Sequence, residues 1–342
     1  MPRRRLTTQG LTEGAILASL VAAFALATRY VPVLGMATAF LVPLPLTVLV
    51  IRRGLWPALL AAAVAGTIAG MVAGPLAGVG ILLTFAPFGI VVGLGARAGR
   101  SAPAILGMAA LATAVSLTID LALTLALSGV NPYQTMIESM RQGQEASMTF
   151  YRRLGVNPPG LEETNRQMMQ VLAIMPKLIP MLLALGGLSV AWLNYQVARP
   201  VLRRLGYLLP ALPPASTWRV PAYVLWLLPL AFVLLSLTER PVMTLSDRLR
   251  STLPAARVAI PGAIGLNVTL LIQFVFAFQG LLVAWVLLGR YIRVPAMRVL
   301  ILAFAFLNPL LGYLIMLMGM AESVFRLRER FAAPRAAAEA ES

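Results

Sequence analysis

Residues 103–129 read PAILGMAALATAVSLTIDLALTLALSG, an almost unbroken apolar run that carries one charge, Asp120. A hydrocarbon core about 30 Å thick is crossed by roughly 20 residues of α-helix, and a run of this kind offers no polar face to water. Working outward, comparable runs stand at 12–31, 34–50, 55–73, 76–95, 171–197, 222–238, 263–289 and 298–320, bounded by Arg, Pro or Gly. The whole chain agrees: of 342 residues, 59% are apolar and only 12% charged, and the mean hydropathy is +0.84. The expected fold is all-α, a polytopic transmembrane bundle of about eight or nine spans.

The same composition excludes most chemistry. With no Cys and no His the chain lacks the ligands of zinc, haem and iron–sulfur centres and the usual nucleophile–base pairs, so no catalytic residue, metal or other cofactor is expected. Lys177 is the one lysine and Leu178 follows it, which rules out the phosphate-cradling loop of an ATPase. Any ATP-driven work must come from a separate ATPase chain. The net charge of +16 is almost all arginine, in blocks between apolar runs: Arg3–Arg5, Arg52–Arg53, Arg97/Arg100 and Arg199/Arg203/Arg204. Such blocks meet anionic headgroups and set orientation, so the bilayer is the expected partner and nucleic acid is not. An amino terminus in the cytoplasm of a bacterium puts all four blocks on the inner side of the cytoplasmic membrane, with the first helix retained. Nine spans would then leave Arg326, Arg328, Arg330 and Arg335 outside and eight would leave them inside; the side of the carboxyl terminus stays open.

Residues 1–205 are expected to form a six-helix bundle interrupted by a polar, extracytoplasmic insert at 131–170. Residues 206–221, with Pro213-Pro214, read as a connector, residues 222–330 as a two- or three-helix membrane region, and residues 331–342 as a polar tail. Within the insert, Met136, Met140, Met148 and Tyr151 could form the apolar stripe of a surface helix or of a lid.

Three features are candidates for function. Ala15, Ser19, Ala23 and Ala27 recur every four residues in the first helix, beside Ala18 and Ala22, and a small-residue face allows close backbone approach. It either packs within the chain or docks a partner, and the glycine patterns at Gly66/Gly70/Gly74 and Gly89/Gly93 repeat the close-packing device. Asp120 lies about 26 Å into its span at 1.5 Å per residue. A charged Asp at a helix centre costs about 2.5–3.5 kcal/mol on insertion scales, so it must face the bundle, a partner or water. Ser116 and Thr124 share its helix face, Thr113 extends it, and Arg29 is the nearest counter-ion. A structural ion pair or a protonated, hydrogen-bonded Asp accounts for Asp120 as well as a ligand site does. Pro43 and Pro45, with Thr84 and Pro87, interrupt helical hydrogen bonding, which lipid does not tolerate; such breaks line substrate pockets or kink packed helices. Asn267, Gln273, Gln279 and Asn308 read as cross-links between helices.

Taken in order, Thr12-Glu13-Gly14-Ala15, Pro43-Leu44-Pro45, Arg52-Arg53-Gly54 and Gly89-x-x-x-Gly93-Leu94-Gly95 resemble the YybS-like family of bacterial membrane proteins. Gln279-Gly280-Leu281 and Leu311-Gly312 with Glu322 and Arg326 are similar to its carboxyl-terminal half, although that family often carries Asp where Glu322 stands. The first six helices of such proteins are in turn similar to the substrate-binding S components of energy-coupling-factor transporters. That resemblance implies a docking face at Ala15, Ser19, Ala23 and Ala27 for a transmembrane coupling subunit. It also implies a small-molecule pocket near Asp120 and Arg29, with Ser116, Thr84, Pro43 and Pro45 around it. The extra spans and the long insert depart from the S-component pattern. The expectation is a non-enzymatic subunit that binds a small solute; a scaffold or regulatory partner that transports nothing is the alternative.

Overall fold

In the computed structural model of the chain, residues 8–153, 161–214, 217–236 and 255–329 are described. The Arg3–Arg5 block, residues 154–160 of the insert, Arg330, Arg335 and the 331–342 tail lie outside them. Every regular element among the described residues is helical. The chain forms two compact units, Met1–Leu212 and Pro213–Ser342, so the division falls inside the proline-rich stretch.

The first unit contains α1 (Thr8–Tyr30), α2 (Pro32–Ala39), α3 (Pro43–Arg53), α4 (Leu55–Ala73), α5 (Pro75–Arg97), α6 (Ala102–Ser128), α7 (Pro132–Arg153), α8 (Leu161–Ile174) and α9 (Ile179–Arg204). Single glycines make the turns from α3 to α4 and from α4 to α5: Gly54 and Gly74 have φ of 98° and 95°, a region that a Cβ makes costly. The expected span at 34–50 is not one helix. Its reason is local: Pro43 and Pro45 carry no N–H, so helix cannot run through them from α2 with its bonds intact. Two short helices of 8 and 11 residues result, together roughly 28 Å long at 1.5 Å per residue.

This broken pair nevertheless returns the chain across the bundle. Glu13 near the start of α1 is ion-paired with Arg52 and Arg53 at the end of α3, the Arg53 Nε donating at 2.8 Å. The end of α3 therefore sits beside the beginning of α1, and α2–α3 must run antiparallel to it. Hydroxyls fill in around the break: Thr28 and Thr38 pair at 3.1 Å, and Thr47 donates to the carbonyls of Pro43 and Gly89. Pro43 to Val50 are all buried, with α1 and α4 on one side and α5, α6 and α9 on the other. Protein surrounds the irregular backbone, as a bilayer requires.

The packing of this unit is small inside and large outside. Ala18, Ala22, Ala25, Ala58, Ala62 and Ala65 form the interior, while Trp56, Met71 and Leu111 are 75%, 81% and 67% exposed. A protein folded in water shows the reverse, because there large apolar groups drive burial; in lipid they gain nothing by turning inward, and close backbone contact between small residues holds helices together. The glycine patterns of α4 and α5 serve this end. A Cβ on Gly78 would strike the Gly66 carbonyl and Gly70, and one on Gly89 would press on the Pro43 carbonyl.

The insert is two helices, α7 and α8, with Met136, Met140 and Tyr151 exposed and Met148 buried. In the second unit a short 3-10 turn (Ala222–Trp226) leads into α10 (Leu227–Ser236), followed by α11 (Ala255–Tyr291), α12 (Pro295–Leu307) and α13 (Pro309–Phe325). Of the expected 222–238 span, the described part holds an apolar helical segment, Ala222–Leu235, shorter than a crossing helix, and residues 237–238 lie outside the described residues. One further expectation is corrected here. The expected 298–320 span is two helices bent by 105° at Asn308, whose extended backbone precedes Pro309 and whose side chain caps Leu311. Among the described residues, six single helices are long and apolar enough to cross a membrane, or up to seven if the bent pair is one span, and the broken pair α2–α3 makes a further return across the bundle in two pieces. The helix α11 crosses α13 at Gly280 and Gly319, where a Cβ would collide with the carbonyls of Ile315 and Phe276.

Candidate functional site

The face of α6 that carries Thr113, Ser116, Asp120 and Thr124 changes role along its length. Thr113 and Ser116 are buried; the Ser116 hydroxyl donates to the Leu83 carbonyl of α5, and the Thr113 hydroxyl has no partner among the described residues. One turn further on, the face opens. A cavity of about 480 Å³ lies where α1, the α4–α5 turn, α5 and α6 converge, and Arg29, Gly80, Thr84, Phe85, Asp120 and Thr124 line it. Gly80 makes room for the carboxylate, since a Cβ there would stand 3.2 Å from Asp120 Oδ1.

Of the residues picked from sequence, Asp120, Arg29 and Thr84 thus share one cavity. Ser116 is turned into the α5 interface. Pro43 and Pro45 are buried in the packing around α3 and do not line the cavity, because the break they cause is enclosed by neighbouring helices. Of the α1 stripe, Ala15, Ser19 and Ala23 are exposed and Ala27 is half-buried, whereas Ala18, Ala22 and Ala25 on the adjoining face pack inward.

The electrostatics of the cavity are unusual for a membrane bundle. Arg29 and Asp120 are its two charged lining residues, and no ion pair within 4.0 Å joins them to each other or to any described residue. A wider recess of about 630 Å³ runs along α9 past Gln196, Arg199, Arg203 and Arg204. All its described lining comes from one helix face and its charges are all positive, a surface suited to headgroups and not to enclosing a solute.

The second unit holds a charged cluster that the residue spacing concealed. Glu322 on α13 is completely buried. Arg326 has a left-handed φ of 55° and reverses the chain after α13, so that Arg328 comes back on Glu322 through its backbone N–H at 3.0 Å and its Nε at 2.9 Å. Arg219 approaches Glu322 at 3.5 Å and Glu329 at 2.9 Å. Gln279 donates to the Gly319 carbonyl and to Ser323, both at 2.8 Å, and its oxygen accepts from the Val220 N–H. Every charge in the cluster is answered by another, which makes it a structural staple. Arg219 and Glu322 are 103 residues apart, a separation at which no motif signals a contact.

Small side chains inside, large apolar ones outside and helices of crossing length define a multi-pass helical membrane protein. The family described as Predicted membrane protein (DUF2232) matches residues 19–323, and the chain belongs to it. It is similar to a Bacillus subtilis (strain 168) protein named Uncharacterized protein YybS, 26% identical over 325 residues that cover 94% of this chain and 98% of that one. No solved structure matches.

Proposed function

We propose that the first unit binds a small solute in the cavity between Arg29 and Asp120 and passes it across the cytoplasmic membrane with the help of partner subunits. The observation that carries this reading is a carboxylate inside a spanning helix that faces a cavity with no ion-pair partner among the described residues. A group so costly to insert is retained where it meets a ligand or water. The amino terminus is cytoplasmic in this reading, which puts the cavity toward the outer side. The exposed Ala15, Ser19 and Ala23 face of α1 docks a transmembrane coupling subunit that a separate ATPase drives, in keeping with the resemblance to S components. The protein itself performs no chemistry on the solute.

The test is thermal stabilisation of the purified protein by a panel of vitamins, nucleobases, amino acids and metal ions, since a ligand of the native state raises the melting point. A hit on the wild type is expected to weaken at least tenfold in Asp120→Asn while the variant stays folded; undiminished binding removes Asp120 from the site. The same exposed α1 face favours a second reading, a scaffold that assembles partners and transports nothing. Ala23→Leu releases a co-purifying partner under both readings, and only solute binding separates them.

A further inference from the structure

We infer that the solute is a small zwitterion of the amino-acid type, its ammonium on Asp120 and its carboxylate on Arg29, an assignment that rests on the solute-binding reading above. Among the described residues the cavity presents one anion and one cation, and no ion pair with a described residue engages either. Arg29 is exposed and Asp120 half-buried, and no ion pair within 4.0 Å joins them. A purely cationic solute satisfies Asp120 but is repelled by Arg29, a purely anionic one meets the converse problem, and a neutral one pairs with neither charge. A zwitterion answers both at once, and guanidinium is the side chain best shaped to hold a carboxylate through two parallel hydrogen bonds.

The rest of the lining fits the same class. Neither the Thr84 nor the Thr124 hydroxyl makes a hydrogen bond with a described residue, so both are available to a solute's ammonium or carboxylate. Leu76, Ile81 and Phe85 form the apolar part of the wall, suited to a hydrocarbon side chain. Bound solute and site together are then electrically neutral, which lowers the cost of carrying both charges within the bilayer.

The experiment uses the full chain in lipid nanodiscs and three probes that share one side chain: leucine, leucinamide, which keeps only the cation, and N-acetyl-leucine, which keeps only the anion. Phenylalanine and serine repeat the comparison with other side chains. At least one zwitterion is expected to raise the melting point and to bind tenfold or more tightly than either of its singly charged analogues. Arg29→Gln should abolish the advantage over the amide, and Asp120→Asn the advantage over the acetylated form. An analogue that binds as well as its zwitterion, or a zwitterion indifferent to both substitutions, overturns the assignment. If either variant fails to fold, the comparison of probes on the wild type decides. A response to a vitamin or nucleobase with none to any amino acid sinks the zwitterion and leaves solute binding standing; no response to any compound sinks both.

Discussion

Asp120 and Glu322 are carboxylates on apolar helices of one chain, and they are treated in opposite ways. Glu322 is sealed from solvent and gripped by Arg328 and Arg219. Asp120 is half-buried and lines a cavity with the exposed Arg29, and it forms no ion pair with a described residue. Burial alone would rank Glu322 as the more interesting residue. Pairing reverses the order: a saturated charge holds structure together, and an unsaturated one in a recess has bonding capacity left over for something else.

Three substitutions sharpen or break that contrast. The largest effect is expected from Glu322→Ala, which removes the carboxylate paired with the buried Arg328 guanidinium; removing one partner of a buried pair typically costs about 3–5 kcal/mol. It should appear as a marked drop in unfolding midpoint in detergent, and an unshifted midpoint would mean that the cluster holds nothing. Next is Gly319→Ala, which puts a methyl group against the Phe276 carbonyl and forces α11 and α13 apart. Overpacking of this kind costs about 1–3 kcal/mol, and it should weaken protection of the Gln279 side chain, whose partners lie across that crossing, in exchange measurements. The smallest is Asp120→Asn. With no ion pair lost, its stability should stay within about 0.5 kcal/mol of wild type while solute binding falls. A large destabilisation would show that the carboxylate has a structural partner and would erase the difference between the two sites.

Much of this could be read from sequence because lipid simplifies the code: long apolar runs, the lone Asp120 and the arginine blocks all signal directly. Where the reading failed, the cause is contact between distant positions. Pro43 and Pro45 looked like pocket-lining breaks, and nothing near them in sequence says that α5 and α9 would close over α3. The hydrophobic run at 298–320 gives no hint of a right-angle bend, which follows from one extended residue before Pro309. Arg219 read as part of a connector and Arg328 as one of a terminal block, because charge counting along the chain does not reveal which cation will return to which carboxylate. The inward and outward halves of the α1 small-residue surface were likewise inseparable by periodicity: Ala18 and Ala22 are neighbours of Ser19 and Ala23, and only packing distinguishes them.

The broken pair α2–α3 has a consequence for biosynthesis. Neither piece is long enough to partition into the bilayer unaided, and α3 ends in Arg52-Arg53 and begins with two prolines. It is enclosed by α4, α5 and α9 as well as by α1, so most of the shelter it needs is made from segments translated later. The insertion machinery must therefore hold this stretch until at least α4 and α5 have emerged, so a nascent chain truncated before α5 should remain loosely embedded and open to proteolysis where the finished protein is resistant.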